Sequence, residues 1–436
     1  MKKLLLKNSI ARSTIGMALL FLTTLCPISR ADDSHRLVVG KPNTPCPNAL
    51  YSTIAAAVSA ASPGDEIDIC PALYPEQLII TKPLRLVGVT ENGVGRILLQ
   101  PTLASLAGLP FEAVITVMNT NDVSIENLAI DASNNTVVGC AVNTAGVISG
   151  SLAGIHFLNA SGTVENSAIF GAQVPGGCGA LFPGNGFGVE VDTDGTSAGP
   201  FQVSIEHNSL HDFGRNGVLA VGAAVRVDVD GNSISGVGPS TGAHQFGVFL
   251  ALGTVGRVSG NFISQGLCGA IPAATCFDLR SEGVVLRSAG DNTVVEDNII
   301  TNVQFGFFLN RANKATIRNN VINNVSSAGS GMQLQGITNS LIAGNRISNI
   351  LPIDNDVVTL EEGCGINELS LLQGAPPGSP ANAGNTFRDN TINDAYCGIA
   401  HVTASTVESG TYFNTLYTTL NTDQIGMTLF PPPTEP

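Results

Sequence analysis

Tryptophan is absent from the 436 residues, aromatic residues make up 5% and charged residues only 12%. A chain so poor in large rings lacks the usual filling of a broad globular core. Basic residues are scarce as well, 20 lysines and arginines against 34 aspartates and glutamates. Nucleic acid is therefore excluded as a partner, because phosphate neutralisation needs clustered cations. No Cys-X-X-Cys pair occurs among the 9 cysteines, which removes the commonest zinc and thioredoxin-like motifs. Beyond residue 31 no apolar run approaches the roughly 20 residues of a membrane-spanning helix.

What is present begins with an export signature. Lys2, Lys3, Lys7 and Arg12 precede the apolar run Ile15 to Leu25. Ser29 and Ala31 then supply the small residues that cleavage after Ala31 requires. Residues 1–31 are expected to be a signal peptide, leaving no transmembrane segment in a periplasmic or secreted product. Five of the 20 basic residues lie in that segment, so 15 basic and 34 acidic residues remain, a net charge of −19. Such a chain repels a polyanion in bulk, although a local basic groove can still hold one.

Cleavage would also remove Cys26 and leave eight cysteines, an even number that favours disulfides in an exported chain. The spacings suggest Cys46–Cys70, Cys140–Cys178, Cys268–Cys276 and Cys364–Cys397. In the last pair, EEGCGI and DAYCGI place each cysteine just before the same Gly-Ile start.

The 49 glycines punctuate a repeat. GIHFL, GVEVD, GVLAV, GVFLA, GVVLR, GFFLN, GMQLQ, GINEL and GIAHV, from Gly154 to Val402, each open with glycine and an apolar residue. Most place another apolar residue two positions on, the period of a strand with one buried face. In seven coils a second short strand ends at an asparagine, Asn208, Asn232, Asn261, Asn298, Asn320, Asn345 and Asn390, while earlier coils place Leu128 or Ser167 in that slot. Units of this length stack because none buries its apolar face alone. The asparagines are expected to form a structural ladder, each side chain tolerating a tight left-handed turn and bonding to its neighbours one coil above and below.

The expected fold is all-β: residues 63–426 form a β-solenoid, preceded in 32–62 by a segment carrying an amphipathic helical cap. In that helix, within Ser52 to Ser62, Ile54, Ala57, Val58 and Ala61 share one face, and Pro63-Gly64 ends it. Residues 427–436, ending in PPPTEP, read as a flexible proline-rich tail.

The asparagine-punctuated coils, the alanine-rich helix and the opening GDEIDICPALYPEQLIITKPLRLVG together resemble right-handed parallel β-helix proteins of the pectin-lyase-like superfamily, over about residues 45–425. The opening is especially similar to the start of pectin methylesterases. In it, Glu76 and Lys82 read as turn and edge positions of a first coil. The resemblance implies a single-stranded right-handed parallel β-helix and a long glycan as partner; if the protein is an enzyme, it implies a polysaccharide lyase or glycoside hydrolase. None of the matched catalytic sets of pectin methylesterase, polygalacturonase, pectate lyase or alginate epimerase is found in this chain.

The chemistry must then be sought on the solenoid surface. In the glycine-led strands the third and fifth positions should face outward. Towards the N-terminal end they bring His156, Glu190 and Asp192 into one zone, a set suited to acid–base catalysis or to holding a cation. The middle of the same face, with Leu219, Phe249, Val285 and Phe308, is apolar and is expected to lie under an inserted loop. Further along, Arg287, Asn310, Arg311, Gln333, Gln335 and Asn367 offer amides and guanidinium groups suited to sugar hydroxyls. No cofactor is called for. Asp192-Thr-Asp194-Gly and Asp228-Val-Asp230-Gly look like calcium loops but lack a third acidic ligand, so calcium and other metals are left unassigned. The expected function is binding or processing of an extracellular polysaccharide along one solenoid face. The alternative is a non-catalytic structural or adhesive rod at the cell surface or in the periplasm. The sequence carries no signal for oligomeric state.

Overall fold

A run of short strands with a glycine at each start folds as one repeated coil. The computed structural model describes residues 35–42, 46, 48–89, 98–100, 112–134, 141–142, 148–149, 152–173, 186–238, 244–267, 281–325, 329–350, 363–369, 382–395, 397–402, 409–413, 416–419 and 427–430. In one coil, Phe246–Ala251 leads into Val255–Ser259 and then Phe262–Gly266. The next repeats this with Glu282–Arg287, Val294–Glu296 and Ile299–Val303. Each coil thus has three strands, one more than the repeat suggested, because the strand after the asparagine is only a few residues long. The strands stack in parallel into a first sheet of 13 strands, holding Val255–Ser259, a second of 12, holding Phe262–Gly266, and a third of 12, holding the glycine-led strands. A separate antiparallel pair joins Ala141–Val142 to Ile148–Ser149.

Alternation along the strands fills the centre. Ile155, Val189, Val218, Val248 and Val284 stand in register on the third sheet, all fully buried. Each such side chain contributes about 1.5–3 kcal/mol. The glycine before each of them is steric. A Cβ on Gly247 would lie 2.4 Å from Ile263 Cγ2 and 2.5 Å from the carbonyl oxygen of Gly283. The isoleucine column of the second sheet occupies the volume that a side chain there would need.

The seven asparagines form one continuous ladder at the corner between first and second sheets. Asn208 Nδ2 donates to Asn232 Oδ1 at 3.1 Å, and Asn232, Asn261, Asn298, Asn320 and Asn345 each donate to the next at 2.9–3.0 Å, ending on Asn390. Each Oδ1 also accepts the backbone N–H of the asparagine before it. The expected left-handed turn falls one residue earlier than the ladder. His207, Gly231, Gly260, Asp297, Asn319, Gly344 and Asp389 carry the positive φ, from 55° to 66°. These residue types tolerate that conformation, which frees each ladder asparagine to point inward and bond.

At the N-terminal end, Ile54–Ala60 is helical and buries Ile54, Ala57 and Val58. Glu76 and Lys82 bind this helix to the first coil rather than merely marking a turn and an edge. The Glu76 carboxylate accepts the backbone N–H groups of Ile54 and Ala55 at 3.1 and 2.8 Å. Lys82 donates to the carbonyls of Ser59 and Ala61. Negative charge at a helix start and positive charge at its end both complement the macrodipole. Cys46 and Cys70 form a disulfide in the same region.

The solenoid reaches beyond its expected limits. Arg36–Val39 pairs with Glu66–Ile69, and Met427–Phe430 pairs with Cys397–Val402. Residues 427–430 are therefore a strand, in backbone register with Ile399–Val402, and not part of the tail expected there. Cys364 is disulfide-bonded, and the backbone of Cys397 stands opposite it in the next coil. The proposed bridges Cys140–Cys178 and Cys268–Cys276 lie outside the described residues, as do residues 1–31, expected to be a signal peptide, and residues 431–436. Among the described residues no helix is long and apolar enough to cross a membrane.

Candidate functional site

The outer face of the third sheet is built from columns one residue wide. Thr116, His156, Glu190 and Leu219 stand in register, and Leu158 stands opposite Asp192. Parallel strands about 4.8 Å apart bring such neighbours into contact. His156 Nε2 lies 2.8 Å from Asp192 Oδ1. The ligating atoms of His156, Glu190 and Asp192 are all within 4.8 Å of one another. His156 and Glu190 are 2% and 5% exposed, while the side chain of Asp192 keeps 16% of its surface open. Asp192 is thus the solvent-facing edge of a buried cluster.

Burial and charge set its protonation. Burial disfavours the imidazolium form of His156, but the Asp192 hydrogen bond and the charges of Glu190 and Asp192 outweigh it and leave the pKa raised. Burial pushes the Glu190 carboxyl up to about 7, with the His156 charge opposing and Asp192 reinforcing the rise. The following corner is fixed by Asn159. Its backbone N–H donates to the Asp192 carbonyl at 3.1 Å. Its Oδ1 accepts from Thr193 Oγ1 at 2.8 Å and from the Asp194 N–H at 3.2 Å.

The proposed sugar-binding set divides. Arg287, Asn310 and Gln335 share one column, and Asn310 Nδ2 donates to Gln335 Oε1 at 2.7 Å. Arg287 is exposed, whereas Asn310, Gln335 and Arg311 are half-buried. Gln333 and Asn367 are both 0% exposed and present no amide to solvent. The reason is that the third-position column is largely covered along this face: Val285 is buried as well, and Leu219, Phe249 and Phe308 are half-buried.

Several neighbours went unnoticed in the sequence. Arg215, just before Asn216 and Gly217, is mostly buried. Burial lowers its pKa, and the charge of Arg287 lowers it further, so the two guanidinium groups sense one another. Lys314 and Arg318, in the coil that follows that of Arg287, lie on the first-sheet side, paired with Asp291 and Glu296. Asp194 accepts from Thr196 N and Oγ1 within its own turn, and Asp230 lies 3.5 Å from Arg257. An open groove of about 660 Å³ runs along the first sheet on the coils that carry His156 and Glu190, lined by Asn121, Ser124, Ser161, Thr163, Gln202 and Ser204 among others. Its signal in the sequence is a hydroxyl column, Ser124, Thr163 and Ser204, visible only once the register is known.

Three stacked parallel sheets and an internal asparagine ladder define a parallel β-helix, with a largely buried polar cluster on the outer side of one sheet. The chain belongs to the family described as "Right handed beta helix region", whose model matches residues 153–418. No curated protein sequence matches it. Among solved structures, the Dettilon tailspike protein superposes with a TM-score of 0.51 at 16% identity, over 87% of this chain and 63% of the tailspike chain. The chain thus spans less than two thirds of that protein. The mannuronan C-5 epimerase AlgE4 A-module of Azotobacter vinelandii gives 0.49 at 15% identity, over 87% and 92%. The GH136 lacto-N-biosidase of Eubacterium ramulus gives 0.47 at 10% identity, over 91% and 68%. The tailspike likeness is one of fold.

Proposed function

We propose that this protein binds an extracellular polysaccharide along the outer face of the third sheet and processes it at His156, Glu190 and Asp192. The observation that carries the reading is the convergence of one imidazole and two carboxylates within 4.8 Å, with Asp192 opening to solvent. The column Arg287, Asn310 and Gln335, further along the same face, supplies hydrogen-bonding groups for a chain lying across several coils. Arg215 and Arg287 give a local positive field within an acidic protein, so an anionic sugar is tolerated there. The resemblance to pectin-lyase-like proteins points to the same class of partner. A disulfide between Cys46 and Cys70 accords with an exported product.

The test is a glycan array, followed by reducing-end and unsaturated-product assays with and without Ca²⁺. Binding is expected to fall in an Arg287→Ala/Gln335→Ala double variant, and product formation to vanish in Glu190→Gln and Asp192→Asn. Failure to bind any polymer refutes the reading. A second reading, a non-catalytic structural or adhesive rod, draws on the near-complete burial of His156 and Glu190. It is favoured if polymers bind but neither carboxylate variant changes any product.

A further inference from the structure

We propose that His156, Glu190 and Asp192 form a binding site for a divalent first-row transition cation of the Zn²⁺ or Mn²⁺ class. The inference goes beyond the polysaccharide reading and stands without it. One imidazole nitrogen and two carboxylates are donors that such ions accept. Metal–ligand bonds of about 2.0–2.2 Å place neighbouring ligand atoms roughly 3–4 Å apart. Atoms already within 4.8 Å of one another need only small side-chain adjustments to reach that geometry.

Three further observations point to a ligand at this place. Glu190 is 5% exposed, and its Oε2 has no hydrogen-bond partner among the described residues. A buried carboxylate oxygen without a partner is costly and is normally satisfied by a proton donor or a metal. Thr116, the register neighbour of His156 on the same face, is 2% exposed, and its Oγ1 likewise has no partner among the described residues. Two independent orphan oxygens therefore flank His156 from the coils on either side. The charge count agrees. With both carboxylates ionised the cluster carries more negative charge than one imidazolium balances, and no lysine or arginine forms an ion pair with Glu190 or Asp192 among the described residues. Calcium fits less well, because it takes six to eight oxygen ligands and a histidine supplies none. The partly open Asp192 gives the ion its way in.

The experiment uses the full chain, stripped with EDTA and dialysed against Co²⁺, Zn²⁺, Mn²⁺ or Ca²⁺, with no glycan present. Bound metal is measured by mass spectrometry, and Co²⁺ also by its visible absorption. One equivalent of Co²⁺ or Zn²⁺ per chain is expected, weakened roughly tenfold or more in Glu190→Gln and in Asp192→Asn. Circular dichroism and thermal melting establish that each variant is folded. Asp192→Asn, at the open edge, serves if the buried Glu190→Gln fails to fold. Uptake well below one equivalent overturns the proposal, as does uptake unchanged in the variants, or uptake of Ca²⁺ alone. Because no sugar is involved, failure here leaves the polysaccharide reading standing, and failure of glycan binding leaves this one standing.

Discussion

Asn298 sits in the middle of the asparagine ladder and is fully buried. Its Oδ1 accepts the backbone N–H of Asn261 at 3.0 Å and Asn261 Nδ2 at 2.9 Å. Its Nδ2 donates to Val258 O, Glu296 O and Asn320 Oδ1, at 2.9, 3.0 and 2.9 Å. In Asn298→Ala the damage is unequal across these bonds. Asn261 Nδ2 keeps the Val229 carbonyl, and Glu296 O keeps the N–H of Gly260. The Asn261 N–H loses its ladder acceptor, a stranded buried donor worth about 1–3 kcal/mol. With the lost side-chain bonds added, the variant should be destabilised by about 3 kcal/mol, against a total of about 5–15 kcal/mol for a typical protein. Asn298→Ser should recover about half, because the ladder already holds a serine: Ser167 Oγ accepts the Leu128 N–H at 3.2 Å while its own N–H donates to Asn208 Oδ1 at 2.9 Å. Asn298→Asp should be worse than alanine, since a buried carboxylate would face three acceptors. Urea unfolding measures the order, provided that fluorescence and circular dichroism give one coincident transition. If they do not, amide exchange at Asn261 gives the local cost. An alanine variant within about 0.5 kcal/mol of wild type, or an aspartate variant above alanine, would refute the reasoning.

Further outcomes follow from other parts of the fold. Gly306→Ala places a Cβ 2.4 Å from Gly331 O and 2.6 Å from Ile322 Cγ2, and should destabilise by about 2–3 kcal/mol; a wild-type urea midpoint would show that the column yields. Replacing Cys46 and Cys70 by alanine opens a bridge of sequence separation 24, and should lower stability by about 3 kcal/mol; because Cys364 is also disulfide-bonded, reduction should destabilise both proteins but the wild type by about that much more. The Glu126 carboxyl is held below its usual range chiefly by its hydrogen bonds to Arg85, at 3.0 and 2.8 Å. A depressed folded pKa stabilises above the unfolded value and loses that stabilisation as pH falls through the folded one. Arg85→Gln should therefore show its largest deficit near neutrality, shrinking below about pH 4; a deficit that grows in acid would sink the assignment.

Much of the architecture was legible because its period is short and its punctuation chemical. The spacing of Asn298, Asn320 and Asn345 marked a stacked corner, and the glycine alignment supplied the register that brings His156 beside Glu190. The left-handed residue was displaced by one because His, Gly, Asp and Asn before each ladder position look like variable loop residues until φ is known. Glu76 and Lys82 do lie in the connections between strands of the first coil, but their tie to the helix was not legible, for a different reason. Their partners are the ends of a helix some 20 residues earlier, a separation at which no local pattern operates. Outward-facing parity on the third sheet was readable, but the burial of Gln333 and Asn367 was not. Alternation tells which side of a strand a residue takes, and nothing about what lies over that side.

The candidate cluster joins residues 36 positions apart, across a connection longer than that from Gly283 to Gly306, and yet both pairs of coils share one register. Loop length therefore does not set the geometry. It is set where the connection ends. At Gly186 an added Cβ would lie 1.7 Å from the carbonyl oxygen of Ala172, so the backbone there passes too close for any other residue. At the far end of the strand, the Asn159 N–H holds the Asp192 carbonyl. A slip of one residue between these anchors would turn Glu190 and Asp192 into the core and Val189 and Val191 outward. Such a slip would bury two carboxylates among aliphatic side chains, at several kcal/mol each. The hydrophobic alternation and the two anchors thus fix the positions of the reactive side chains, which leaves the intervening insertion free to vary in length and composition without moving them.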